Sequence, residues 1–276
     1  MKKILFYISL FFIFSLQASA KTESITDFSK TIDANKTTTY FDLIHKIFPD
    51  AKENDKGVAV STKSIALDNI FGDYKGRVYE GEMQINSAES LWVKNNGKRQ
   101  ILLLIDVSSS NGQPEFQWGD LNVLALFDVD GEPKLIDAKD VQADRFVFFS
   151  EEQPILNLDT KSDAFLVINH HFNAGEGFVN LSLIGVVNNR LKIVLDSIPT
   201  LMNVEGCSIG CDEKAFLKLT KNPRNNFSNI TVQIKYNKHA DGDECEKKRK
   251  GYTKNYFHQC VWNEKQKRYI KLKGKS

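Results

Sequence analysis

From Val58 onward the chain is written in short runs rich in β-branched and aromatic residues, each bounded by Gly, Asn, Asp or Ser. Runs of this length and composition dictate strands. They fall at Val58–Leu67, Arg77–Ile85, Leu91–Val93, Ile101–Val107, Asn122–Asp128, Lys134–Asp137, Phe146–Phe149, Phe165–Asn169, Phe178–Val187, Leu191–Leu195, Ala215–Leu219, Ile230–Tyr236, Thr253–Trp262 and Tyr269–Leu272. A helical period occurs once. Tyr40, Phe41, Leu43, Ile44, Ile47 and Phe48 repeat at three and four residues, Thr38-Thr39 precede them as caps, and Pro49 stops them. The expected class is all-β with one short N-terminal helix: an antiparallel meander of repeated three- to four-stranded units, propeller-like or as stacked sheets.

A faint internal repeat supports that meander. Leu121–Leu126 aligns with Val179–Ile184, Val129-Asp130-Gly131 with Val187-Asn188-Asn189, and Lys134-Leu135-Ile136 with Lys192-Ile193-Val194, all at an offset of 58. Upstream, Leu103–Asp106 aligns with Leu166–Asn169. A further copy is read over Ile230–Leu272 and an earlier one over Val58–Val93. Each unit would run strand, long loop, strand, tight turn, strand, and repeats of this size suit blades or stacked sheets.

The first residues concern destination. Lys2 and Lys3 precede an uncharged, mostly apolar run over Ile4–Leu16, and Ala18-Ser19-Ala20 offers the small residues a signal peptidase reads. The run is too short for the ~20 residues of a membrane-spanning helix. Residues 1–20 are therefore expected to be a signal peptide, 21–57 an N-terminal arm, loosely held over 21–38, with the short helix, and 58–276 a β-rich domain with internal repeats. The expected location is exported, periplasmic or secreted, with no transmembrane segment after leader removal.

Four cysteines, Cys207, Cys211, Cys245 and Cys260, lie in the last third of the chain. An even number in an exported chain reads as two disulfides, with Cys207–Cys211 and Cys245–Cys260 the favoured pairing. A four-cysteine metal site is the rival reading.

Charge is divided along the chain. Lys235–Ser276 carries 13 basic and 5 acidic residues, whereas Lys21–Ile234 carries 22 basic and 30 acidic. A basic C-terminal region of this kind marks either a solvated face or a surface for an anionic envelope component or protein partner. Nucleic acid is not expected.

Candidate binding residues concentrate in the long loops, where a β scaffold usually carries them. His170, His171, Asn173 and Glu176 occupy one; Asp241 and Asp243, beside Glu244, occupy another. Adjacent histidines in a strand take opposite faces, so at most one serves a given pocket. The acidic turns at 128–132 and 241–244 lack the full calcium-loop pattern. Trp92, Trp118 and Trp262 are either sugar-facing or half-buried strand aromatics. Nucleophile elbow, zinc-protease, P-loop and dinucleotide motifs are missing from the sequence, and no cofactor, metal or catalytic residue is assigned. The expected function is an exported, non-enzymatic binding or interaction protein of the periplasm or cell surface. The alternatives are a cell-envelope hydrolase, metal-assisted and using His170 or His171, or an inhibitor of an exported enzyme.

Overall fold

The structure, a computed structural model, describes residues 21–32, 37–54, 58–109, 121–143, 146–173, 176–202, 211–222, 226–238 and 252–272. In chain order its elements are β1 (Glu23–Ile25), α1 (Tyr40–Ile44), β2 (Lys52–Glu53), β3 (Ala59–Ser61), β4 (Ile65–Leu67), β5 (Arg77–Tyr79), β6 (Met83–Asn95) and β7 (Lys98–Ser109). There follow β8 (Leu121–Asp128), β9 (Lys134–Asp140), β10 (Phe146–Phe149), β11 (Ile155–Asn157), β12 (Asp163–Asn173), β13 (Glu176–Val187) and β14 (Arg190–Met202). The last four are β15 (Cys211–Thr220), β16 (Asn229–Lys238), β17 (Tyr252–Asn263) and β18 (Arg268–Lys271). The expected class holds: the described residues are antiparallel β with one short helix.

The strands form three main sheets and a small β4–β5 hairpin. The first sheet has the order β2-β3-β6-β7-β8-β9, with β1 also on β6; the second is β10-β12-β13-β14, with β11 also on β12; the third is β15-β16-β17-β18. The sheets stack as layers. Leu91, Leu102, Leu104, Leu124 and Leu126 of the first sheet meet Phe149, Phe165, Val167 and Ile184 of the second. The other face of the second, with Ala164, Leu166, Leu181, Leu183 and Val194, meets Leu217, Ile230, Val232, Cys260, Trp262 and Tyr269 of the third. A sheet buried on both faces must be apolar at odd and even positions alike. β12 satisfies this: Ala164, Phe165, Leu166 and Val167 are each at most 1% exposed.

The remaining face of the first sheet is closed by the N-terminal segment, which differs from the loosely held arm expected there. Ile25 and Ile32 are fully buried and Phe28 is 5% exposed, in one core with Leu43, Ile44 and Phe48 of the helical region. β1 is fixed by Glu23↔Ser90 through Ile25↔Ala88 on β6, a pairing that no local periodicity announces. The helix starts where its sequence says. Thr39 caps it in a reciprocal box with Asp42, and Tyr40 points its hydroxyl to Glu23 at 3.0 Å.

Turn chemistry sets the meanders. Asn96 and Gly97 (φ 51° and 80°) close β6–β7, and Asn188 and Asn189 (φ 54° and 57°) close β13–β14. Left-handed backbone at both central residues is what a two-residue hairpin demands, and Asn and Gly tolerate it best. The run read as one strand over Val58–Leu67 is divided into β3 and β4. Asp50 accepts from the backbone and side chain of Thr62 and from the backbone of Lys63, which turns the chain there.

The repeat is one of topology. β7, β12 and β16 start beside one another: Gly97 N–H donates to Lys161 C=O (2.8 Å) just before β7 and β12, and Ser228 N–H donates to Leu158 C=O (2.9 Å) just before β16. Residue by residue, however, the alignment matches Leu104 with Val167 (offset 63) and Leu126 with Ile184 (offset 58), side chains that face each other across one core. Sheets stacked in a common orientation would place equivalent residues on faces pointing the same way.

Candidate functional site

β12 alternates between two cores. Phe165 and Val167 point to the first sheet, while Leu166, Ile168 and His170 point to the third. Toward the ends of β12 and β16 the second and third sheets separate and leave a cleft of about 980 Å³. Tyr256, paired with Ile234 on the side of the third sheet that faces the second, is 46% exposed there, as the separation requires.

The floor comes from Phe148, Leu166, Ile168, Val179 and Leu181, and the facing wall from Ala215 and Leu217. His170 stands among them, its ring edge-on to Phe148 with centroids 4.7 Å apart. Burial pushes its imidazole below the usual histidine range, so the ring is neutral at pH 7. A neutral imidazole offers one donor and one acceptor to whatever lies beside it. Thr200 Oγ1 donates to the Val179 carbonyl (3.3 Å) and so turns a hydroxyl into this wall without leaving it unpaired.

The mouth is polar. Glu151, Glu152, Gln153, Glu213, Lys214 and Gln233 line it, with Lys214 Nζ 3.5 Å from Glu152. Gln153 does structural service as well. Its amide donates to the Leu217 carbonyl at 2.9 Å and accepts from the Leu217 N–H at 3.4 Å, so a side chain of the second layer pairs with the edge strand of the third. An exposed edge needs such a device, and here it also fixes one jamb of the cleft.

The sequence-derived residues are distributed as follows. His170 is in the cleft. His171, Asn173 and Glu176 lie on the β12–β13 hairpin, with His171↔Phe178 and Asn173↔Glu176 in register; their side chains are outside the described residues. The ladder is regular through both histidines, the condition under which neighbours take opposite faces. Asp241 and Asp243 lie outside the described residues, as do Cys207, Cys245 and Trp118.

Of the four cysteines, Cys260 is the one whose side chain is described: a free cysteine, 2% exposed, in the core between the second and third sheets, where burial pushes its thiol up. Cys211 begins β15 opposite Lys238.

The acidic turn at Asp128–Glu132 is a hairpin turn, with Asp130 N–H donating to Asp128 Oδ1 (3.1 Å) and Gly131 at φ 90°. Among the described residues no group of three or more His, Cys, Asp or Glu is placed to hold a metal ion. Trp262 is core: it is 8% exposed and packs on Phe227 (4.4 Å) and Tyr269 (5.3 Å). Trp92 lies under the Arg99 guanidinium at 3.9 Å.

A second groove, about 860 Å³, follows the open edges of β6, β11 and β15. Its polar groups are largely engaged already. Asp163 accepts from the Lys94 N–H and from Asn157 Nδ2, each at 2.7 Å, and Arg99 is stacked on Trp92. The cleft at His170 has the apolar walls and few convergent polar groups that ligand sites usually show.

What sequence reasoning missed is the partners of His170. Phe148, Thr200 and Ala215 come from three other strands, and no local spacing links them. One signal was within reach: alternation through Leu166-Val167-Ile168-Asn169-His170 sets His170 on the same face as two apolar residues.

The fold and cleft together define a class, a stacked antiparallel β-sheet protein with an apolar intersheet cleft. Comparison with protein-family models, curated proteins and solved structures gives no match. Among the described residues no helix is long and apolar enough to cross a membrane.

Proposed function

We propose that the protein is an exported, non-enzymatic binding protein whose ligand lies in the cleft between the second and third sheets. The observation that carries this reading is the composition of that cleft: an apolar channel holding one neutral imidazole, with charged groups confined to its mouth. Such a site suits an elongated amphipathic molecule. Its apolar body would lie on Phe148, Ile168, Val179 and Leu181, an internal polar atom would meet His170, and its head group would stay at Lys214, Glu152 and Gln233. The basic C-terminal region is the second part of the reading, facing an anionic partner outside the cleft.

Export is supported by the charged, apolar and small-residue zones of residues 1–20. Protein recovered from the periplasmic fraction of an expressing bacterium is expected to begin at Lys21, by intact mass. Retention of the leader in a cytoplasmic fraction would remove export from the reading.

The cleft is tested with 1-anilinonaphthalene-8-sulfonate, an amphipathic probe that fluoresces in apolar surroundings. Saturable binding is expected, weakened about tenfold, or ~1.4 kcal/mol, by Val179→Trp, which fills the floor. Linear, non-saturating fluorescence, or binding equally tight in the variant with unchanged circular dichroism, would sink it.

A metal-assisted hydrolase would need His170 within about 3 Å of its proton partner and a convergent acid. The ring contact recorded for His170 is Phe148, and the carboxylates Glu151, Glu152 and Glu213 line the mouth.

A further inference from the structure

The outer face of the third sheet combines exposed phenyl rings, amides and lysines. Register places Phe216, Gln233 and Phe257 in one row across β15, β16 and β17. The two phenylalanines are 38% and 60% exposed. Parallel rows on either side read Lys214–Lys235–Asn255 and Lys218–Thr231–Gln259. Arg268 extends the face onto β18 opposite Asn263. Among the described side chains of this face there is no carboxylate; Lys214 borrows one from Glu152, at 3.5 Å. The inner face of the same sheet packs in the core and walls the cleft, and Lys214, Phe216, Lys218 and Gln233 of the outer face also reach the cleft's rim.

We infer that this face binds a linear anionic polysaccharide. The inference rests on the reading that the basic C-terminal region meets an anionic partner, and it assigns that partner a class and a place, where Lys235 and Arg268 of that region are joined by Lys214 and Lys218 of β15. Three features argue for sugar. Two exposed phenyl rings stand two strands apart, about 10 Å from the interstrand spacing, on a sheet face along which an extended chain of pyranose rings can lie. Apolar C–H faces of sugars stack on such rings. The positions between and beside them are amides and hydroxyls, already linked in pairs: Gln233 Nε2 donates to Asn255 Oδ1 (3.1 Å) and Gln259 Nε2 to Thr231 Oγ1 (2.9 Å). These rows keep free lone pairs and protons for sugar hydroxyls. The lysines flank them at the reach of carboxylate or sulfate groups.

Other occupants fit less well. A second copy would bring lysine rows against lysine rows, a like-charge arrangement that costs affinity. A lipid surface rewards apolar side chains that enter the acyl region with cations around them; here the amide rows sit between the rings and would lose their hydrogen bonds.

The test is affinity electrophoresis of the mature protein through gels containing polygalacturonate, dextran sulfate or neutral dextran. Retardation is expected with the two anionic polymers and not with dextran, and it should weaken as salt rises. Phe216→Ala with Phe257→Ala is expected to weaken retardation by polygalacturonate at least about tenfold while the melting temperature is kept. Lys214→Ser, Lys218→Ser and Lys235→Ser together should abolish it. The cleft-floor variant Val179→Trp should leave retardation unchanged, and Phe257→Ala alone, whose ring is not among the cleft-lining residues, should weaken retardation while leaving probe binding in the cleft unchanged, which separates failure of the cleft from failure of this face. Undiminished retardation of the phenylalanine variant would reduce the contact to charge alone and overturn the inference. So would the absence of any retardation, or flotation with anionic phospholipid vesicles that depends on the same two phenylalanines.

Discussion

Replacing Phe165 by alanine is expected to remove about 3–5 kcal/mol of stability, the cost of deleting a fully buried aromatic. Phe165 is 0% exposed and lies edge-on to Phe149, with ring centroids 6.2 Å apart. It occupies the shared core of the first and second sheets, against leucines of β6, β7 and β8. Its own strand has the third sheet behind it, so a cavity here lets the central layer shift on both sides. In a domain of this size each kcal/mol moves the melting temperature by ~2–4 °C. A drop on the order of 10 °C is expected in a circular-dichroism melt, as one transition. Phe257→Ala is the control: its ring is 60% exposed, and the change should be within about 0.5 kcal/mol. A Phe165 variant as stable as the control would contradict the layered packing. Two separated transitions would contradict the cooperation of the layers.

Strand positions were legible because local chemistry and tertiary packing agree. Phe146–Phe149 coincides with β10, and most other runs grew by a few residues at their ends, where polar residues are held only by a partner strand. Asn96-Gly97, Asn188-Asn189 and Asp130-Gly131 mark their turns because few residues accept positive φ. What the sequence could not show is what has no period. β1, β2 and β11 are two or three residues long, too short for alternation to register, and they exist because β6, β3 and β12 offer them an edge. The order of layers was hidden for a different reason. An apolar strand such as β12 states that both faces are covered and is silent about what covers them. The clasps between layers are long-range as well. Asp137 accepts from Arg190 Nη1 at 2.9 Å and from the Leu191 N–H at 2.8 Å, across more than fifty residues of chain. Of the sequence-derived set His170 lies in the cleft, on the face that alternation along β12 assigns it; its neighbours there come from the stack.

Lowering the pH from about 7 to 5 is expected to strengthen the attachment of the β4–β5 hairpin to the first sheet, through Asp140. This carboxylate is fully buried at the end of β9. It accepts from Tyr79 OH (3.0 Å), Asn69 Nδ2 (3.2 Å) and the Gln142 N–H (2.8 Å). Tyr79 is in turn bonded to Tyr74 at 2.6 Å, and the Arg77 guanidinium lies over both rings at 5.1 and 5.2 Å. Burial outweighs these donors, with a smaller push from Asp73, and raises the Asp140 pKa to about 6. Because the folded value lies above the unfolded one, the native state holds a proton that the unfolded chain has released. Stability therefore falls as pH rises through that interval, and the full penalty at neutral pH is about 3 kcal/mol by linkage. Burial also raises Glu89 and Asp106, adding the same sign. At Asp50 burial pushes up, but hydrogen bonds from Ser61 and Thr62 win and pull the carboxyl down, adding the opposite sign. A global melt mixes these, so the readout has to be local. Amide hydrogen exchange within 65–79 should slow as pH falls from 7 to 5, after correction for the intrinsic rate, and the carboxyl carbon of Asp140 should titrate near 6. Asp140→Asn keeps the shape without the charge, and its exchange profile should be flat over that interval. A carboxyl titrating near 4, or a wild-type profile as flat as that of the variant, would show that water reaches Asp140 and that the tyrosine pair does not seal this corner of the sheet.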